Sequence, residues 1–232
     1  MPLFIALFIL LTITLSLLFV HLRFRLNLKL IVIAILIGFL ASLVGDQMKQ
    51  MGINFGIINK SDPIFNFIFS LFATGLSGQL IVFLFIKILI YPSRHFKMPV
   101  FGLIYCVWIS IGFVLPEFLT MNEKTYPLIN ILNILGHISM SMILGYFISM
   151  AKFSEDAKQN FTYLNTGLGS IILIQGLHEF FILERQFPNL IVLMLGTSFL
   201  TLMLTAHLLR QQKAEQNDSN NSKINDLYPN EQ

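Results

Sequence analysis

Residues 99–121 read PVFGLIYCVWISIGFVLPEFLTM, an apolar stretch with one carboxylate, Glu117, set inside it. A helix of roughly 20 residues crosses the hydrocarbon of a bilayer, so this stretch is long enough to span. An ionised carboxylate within such a span costs about 3 kcal/mol even on lenient insertion scales, which makes Glu117 a functional candidate by default. Two other apolar stretches carry His137 and His178, and a third carries Gln79. A polar site shared between membrane helices is therefore the first expectation.

Composition points the same way. Of 232 residues, 55% are hydrophobic and only 12% charged, against about 25% charged in an ordinary soluble domain. The mean hydropathy is +0.74. The net charge of +3 does not imply nucleic acid, because Lys and Arg sit in short segments between apolar runs, where membrane topology accounts for them. The single cysteine, Cys106, lies in an apolar run and forms no intrachain disulfide. The N-terminus begins MPLFIALFILL with no basic residue before the run and no small-residue cleavage site after it, the pattern of a retained first helix.

The pattern predicts an all-α polytopic membrane protein of about seven spans, at residues 2–20, 30–45, 64–91, 99–121, 127–151, 163–183 and 189–209. Residues 46–62 are polar, contain Gly52, Gly56 and an Asp-Pro step, and read as a loop. The run at 64–91 is longer than a perpendicular span needs, which predicts tilt, extension past the interface, or a break near Gly75 and Gly78. Residues 1–209 form one integral membrane domain. The tail 210–232, rich in Asn, Gln, Ser, Lys and Asp, reads as disordered and cytoplasmic.

Of the fifteen Lys and Arg residues, all but Lys49, Lys60, Lys124 and Arg185 fall on one side if the N-terminus is outside and the C-terminus inside. That bias fits the positive-inside rule. At 1.5 Å per residue, Glu117, His178 and His137 then lie roughly 6, 8 and 15 Å below the outer surface. His207 falls near the inner end of the last span and belongs to no motif. The Lys, Asn and Ile usage suggests a bacterial cell membrane.

The order of features sharpens the reading. Gly78-Gln79 precedes Lys87-Ile-Leu-Ile-Tyr91; then come Phe101-Gly-Leu-Ile-Tyr105, Phe113-Val-Leu-Pro-Glu117, Leu135-Gly-His137 and Gly176-Leu-His178-Glu179. This succession, over about residues 75–183, resembles the PrsW family of intramembrane proteases, relatives of the CAAX prenyl protease and bacteriocin-processing superfamily. Phe113-x-x-x-Glu117 fits that family's Phe-x-x-x-Glu motif, His137 its lone intramembrane histidine, and His178 the histidine of its last motif. Two marks are degraded. Where the family carries Glu-Glu and, three residues later, Lys, this chain has Gly78, Gln79 and Val82; where Asn or Asp is expected four residues after His178, it has Ile182.

The resemblance implies an endopeptidase that cleaves a membrane-anchored protein near the outer face, with Glu117, His137 and His178 as the remaining catalytic residues. A carboxylate takes a proton from water and histidines hold the substrate carbonyl or the developing oxyanion. Gln79 can orient a water but has no useful basicity, which leaves Glu117 as the base. The alternative is a catalytically inactive family member, a scaffold that binds a membrane partner. The two histidines and Glu117 also form a ligand set suited to a divalent metal, which stays open. His178-Glu179-x-x-Ile182 lacks the second histidine of a zincin, and no rhomboid-like or presenilin-like signature is present. No paired repeat of the kind transporters use is visible.

Overall fold

The computed structural model describes residues 27–56, 62–119 and 127–227, with side chains for 27–56, 62–116 and 134–214. The expected first span at 2–20, the basic Arg23 and Arg25, Lys60 and Lys124 lie outside the described residues. Those described form six helices, with no strand among them: α1 (Leu28–Asn54), α2 (Pro63–Ile90), α3 (Val100–Leu119), α4 (Pro127–Lys152), α5 (Ala157–Leu183) and α6 (Phe187–Leu227).

Local sequence sets the starts. Asn27 accepts from the Lys29 amide at 2.9 Å to open α1, and Asp156 does the same for Lys158 in α5. Asp62 accepts from both Ile64 and Phe65 at 3.1 Å, with Pro63 as the first helical residue, where its missing N–H costs nothing. The long second run is not broken at its glycines. It stays continuous and widens into π-helical turns at Ser70–Leu76 and Ile86–Ile90. Within the first of these turns Thr74 donates to the Ser70 carbonyl at 2.6 Å, and Ser77 just after it donates to that of Ala73, back-bonding that disturbs regular α-geometry.

The polar stretch from Asp46, expected to be a loop, is instead the last two turns of α1. Gln47, Met48, Lys49, Gln50 and Met51 are all good helix formers, and α1 runs to Asn54 before Gly56, at φ +66°, turns the chain. Helix also continues beyond Arg210, through Gln, Lys, Ala and Glu, to Leu227, into the tail whose composition suggests disorder.

Five described helices are long and apolar enough to cross a membrane: Leu28–Asn54, Pro63–Ile90, Ile134–Lys152, Ala157–Leu183 and Phe187–Ala214; the described apolar part of α3, Val100–Pro116, is shorter. The described residues are thus all-helical, with the length and apolarity of an integral membrane protein. Its outward faces carry Val32, Leu36 and Leu40 on α1 and Val192, Leu195, Phe199 and Leu202 on α6, all exposed, as lipid requires.

The helices alternate in direction. At one end, Lys49 near the end of α1 meets Glu179 near the end of α5, and Asn66 at the start of α2 donates to Glu184 just past α5. At the other end, Lys152 of α4 donates to the Tyr91 carbonyl, Asn160 of α5 donates to the Tyr91 hydroxyl, and Ser149 donates to Pro99. Packing runs α1 to α3, α3 to α4, α4 to α5, α5 to α2 and α2 back to α1, with α6 against α4 outside this ring. The seam between α1 and α3 is close enough to require glycine on both sides. A Cβ on Gly38 would lie 1.9 Å from the Ile109 carbonyl oxygen and one on Gly112 2.0 Å from that of Ile35, so α1 and α3 cross in backbone contact.

Candidate active site

The ring encloses Gln79, His137 and His178. Gly75 on α2 and Gly176 on α5 bring those helices together: a Cβ on Gly75 would lie 2.6 Å from the Ile172 carbonyl, and one on Gly176 2.8 Å from the Leu71 Cα. Two residues beyond Gly176, His178 is fully buried. On α4, His137 is 3% exposed, and the two imidazole centroids stand 5.4 Å apart at 62°. Residues 41 positions apart in the chain thus stand side by side in the interior.

Phe113 of α3 lies against His137, ring centroids 4.8 Å apart and tilted by 36°. Glu117 falls four residues later in α3, on the same helix face one turn toward its end; its side chain lies outside those described. Pro116 does not end α3, but it has no N–H to give the Gly112 carbonyl. His137 Nε2 is buried with no hydrogen-bond partner among the described residues. Leaving such an atom unsatisfied costs about 1–3 kcal/mol, so this nitrogen is suited to an incoming polar group.

The positions of the degraded motif are placed as follows. A Cβ on Gly78 would meet the Ala41 carbonyl at 3.5 Å and the Phe113 ring at 3.6 Å, ordinary contacts, so position 78 faces the aromatic ring that lies on His137. Gln79 is buried on α2, whereas Val82 belongs to the apolar core. Ile182, one turn after His178, is only half-buried.

Comparison with known proteins adds no relative. No protein-family model, curated protein or solved structure matches this chain. The site therefore stands on its own geometry.

Two charged residues that the sequence reading left out adjoin the histidines. Glu179 Oε2 is 2.8 Å from Lys49 Nζ, and Glu179 Oε1 is 3.9 Å from His178 Nδ1. The Lys49 and Glu179 side chains are 28% and 12% exposed, so the pair is largely withdrawn from solvent. Glu179 carries a visible signal in its adjacency to His178. Lys49 was hidden because its helical turn read as loop. Among the described residues no three His, Cys, Asp or Glu side chains form a group able to hold a metal; the Glu117 side chain is not among them.

Chemically, the site offers two imidazoles, one carboxylate braced by an ammonium, and a second carboxylate position one turn along α3. These groups can accept a proton from water and donate to an oxygen that gains negative charge.

Proposed function

We propose that this chain is a PrsW-like intramembrane protease, an endopeptidase that cleaves a membrane-anchored protein near the outer face of a bacterial cell membrane. The observation that carries this reading is the meeting of His137 and His178 at 5.4 Å with Phe113 of the Phe-x-x-x-Glu117 motif against His137. Residue types matched in linear order to that family come together from three helices, at the same end of the bundle. In this reading the chain spans the membrane seven times, residues 2–20 providing the first span, with the N-terminus outside and the C-terminus inside. Lys87, Arg94, Lys97, Lys152, Lys158, Arg210 and Lys213 then gather at the inner end, opposite the histidines.

Peptide hydrolysis here needs a water whose O–H proton passes to a site base as its oxygen bonds to the carbonyl carbon. A histidine N–H steadies the resulting oxyanion. The proton then goes to the amide nitrogen as the C–N bond breaks. Glu117, His137 and His178 are the groups assigned to these tasks. A divalent metal held by the same three would polarise the substrate carbonyl and acidify a bound water.

A second reading, a catalytically inactive scaffold that binds a membrane partner, is favoured by Gly78, Gln79 and Val82, which supply neither carboxylate nor ammonium from α2. One experiment separates the two. Protein N-termini are compared in membranes of native cells carrying wild type, Glu117→Ala, the double variant Gly78→Glu/Gln79→Glu, or no copy. A new N-terminus present with wild type and lost in Glu117→Ala supports the protease and names its substrate. Cleavage seen only with the double variant identifies a relic scaffold, and unchanged cleavage in Glu117→Ala removes Glu117 from the mechanism.

A further inference from the structure

Several buried hydroxyls of the bundle are spent on packing. Thr74 and Ser110 donate to carbonyls of their own helices, and across the seam of α4 and α6 Ser139 meets Ser198 at 3.0 Å while Thr201 donates to the Ser139 carbonyl. Such bonds are the usual work of polar side chains inside a membrane protein. Between α2 and α5 the pattern changes. Ser70 is 0% exposed and Gln175 is 2% exposed, yet Ser70 Oγ and Gln175 Oε1 have no hydrogen-bond partner among the described residues. Ser70 also opens the π-helical turn Ser70–Leu76, a local widening of the kind that recurs at functional sites.

The two atoms belong to one level of one seam. Phe67 meets Phe180, Leu71 lies against Gly176 and Gly75 against Ile172, so α2 and α5 run antiparallel. Ser70 and Gln175 each come one residue before a member of the Leu71–Gly176 contact. A step back along either of two antiparallel helices turns about 100° toward the same flank of their seam, and the burial of both side chains makes this the inner flank. Gln175 is also three residues before His178, on the same helix face. Beyond His178, at 5.4 Å between ring centroids, stands His137, whose Nε2 is a third buried atom with no partner among the described residues.

We infer that Ser70 Oγ and Gln175 Oε1 hold a buried water between α2 and α5, one helical turn from the histidines. A buried water typically makes about three hydrogen bonds to polar groups otherwise unsatisfied. Here its O–H donates to Gln175 Oε1, and the Ser70 hydroxyl, able to donate and to accept, takes a second position. The occupant is water and not a peptide because the flanking helices are in backbone contact: a Cβ on Gly75 would lie 2.6 Å from the Ile172 carbonyl and one on Gly176 2.8 Å from the Leu71 Cα. The site itself is independent of the protease reading. Only its use rests on that reading, in which it keeps a water within the bilayer beside the histidines that hydrolysis needs.

The test follows water magnetisation into the protein. The full chain is produced with 13C-labelled serine in lipid bilayers, and the signals of Ser70 and Ser110 are assigned by their loss in Ser70→Ala and Ser110→Ala. Ser110 is the control, also 0% exposed but with its hydroxyl donated to the Val107 carbonyl at 2.7 Å. Transfer from water, timed by water-edited solid-state NMR, is expected to reach Ser70 several-fold faster than Ser110. In Gln175→Met, which keeps the length of the side chain and removes its oxygen, Ser70 at the same depth is expected to slow to the rate of Ser110. Equal rates for the two serines in wild type, or an unchanged Ser70 rate in folded Gln175→Met, overturn the assignment. Should Gln175→Met fail to fold, the wild-type comparison alone decides. Cleavage is not read, so failure of the protease reading and failure of the water site are seen separately.

Discussion

Adding one methyl group at Gly112 should cost far more than adding it at Gly78, although both are glycines inside membrane helices. At Gly112 the new Cβ would lie 2.0 Å from the Ile35 carbonyl oxygen and 2.9 Å from its Cα. These are backbone atoms and cannot rotate away. To reach an ordinary separation, α1 and α3 must part by about 1.4 Å, and gaps of even 0.5–1 Å forfeit a quarter to a half of each van der Waals contact they open. Overpacking of this kind costs about 3 kcal/mol at the upper end of its usual range. At Gly78 the nearest atoms are 3.5 Å and 3.6 Å away and nothing must move. The gain from replacing helical Gly with Ala, up to about 1 kcal/mol, is common to both and cancels in the comparison. Gly112→Ala should therefore be about 3 kcal/mol less stable than Gly78→Ala, roughly 150-fold in the unfolding equilibrium. The chain's one tryptophan, Trp108, is buried on α3 one turn before Gly112, so its fluorescence reports the transition when the micellar protein is titrated with dodecyl sulfate. Equal midpoints for the two variants, or a Gly112→Ala protein as stable as wild type, would refute the backbone contact between α1 and α3.

The same titration addresses the ion pair. Lys49→Met leaves the Glu179 carboxylate withdrawn from solvent without its ammonium, and should cost about 2 kcal/mol, less than for a pair fully out of water. Lys49→Met combined with Glu179→Leu should recover most of that loss; a double variant that merely adds two penalties would mean the residues do not act as a pair. Orientation is tested by maleimide labelling in intact cells. Cys106 is buried, so single cysteines at Lys97 and Lys124 can be read above background. Lys124→Cys should react with an impermeant reagent from outside and Lys97→Cys only after the membrane is opened. Reaction of Lys124→Cys from the cytoplasmic side would reverse the topology and with it the assignment of the histidines to the outer half.

Much of the helical framework is legible in the chain because it depends on length, hydropathy and short capping patterns. Asp62-Pro63 marks the start of α2, and apolar runs mark the spans. What hydropathy measures, however, is the boundary of the hydrocarbon and not the end of a helix. Residues 46–54 are polar enough to leave the bilayer yet made of strong helix formers, so α1 carries Lys49 as a helical side chain where a loop is expected. The first π-helical turn of α2 escapes for a related reason, since hydroxyl back-bonding at Thr74 and Ser77 reshapes the helix without changing its hydropathy. His137 and His178 have depths that can be counted along their helices, but the direction in which each points depends on how α4 and α5 rotate against their neighbours. That rotation is set by close contacts such as Gly75 and Gly176, which only the folded chain reveals.

The contrast among glycines bears on the chemistry as well as the packing. Gly38 and Gly112 are glycine because a neighbouring backbone occupies the space of a side chain; Gly78 is under no such demand. A carboxylate at position 78 is thus not excluded at its Cβ. The charged side chains found beside the histidines come from elsewhere, Glu179 from α5 and Lys49 from α1, and their oxygen and nitrogen atoms are already in contact at 2.8 Å. An enzyme needs Glu117 beside the histidines as well as this ion pair, whereas a scaffold needs only the ion pair, so loss of cleavage in Glu117→Ala is the property on which the two readings part.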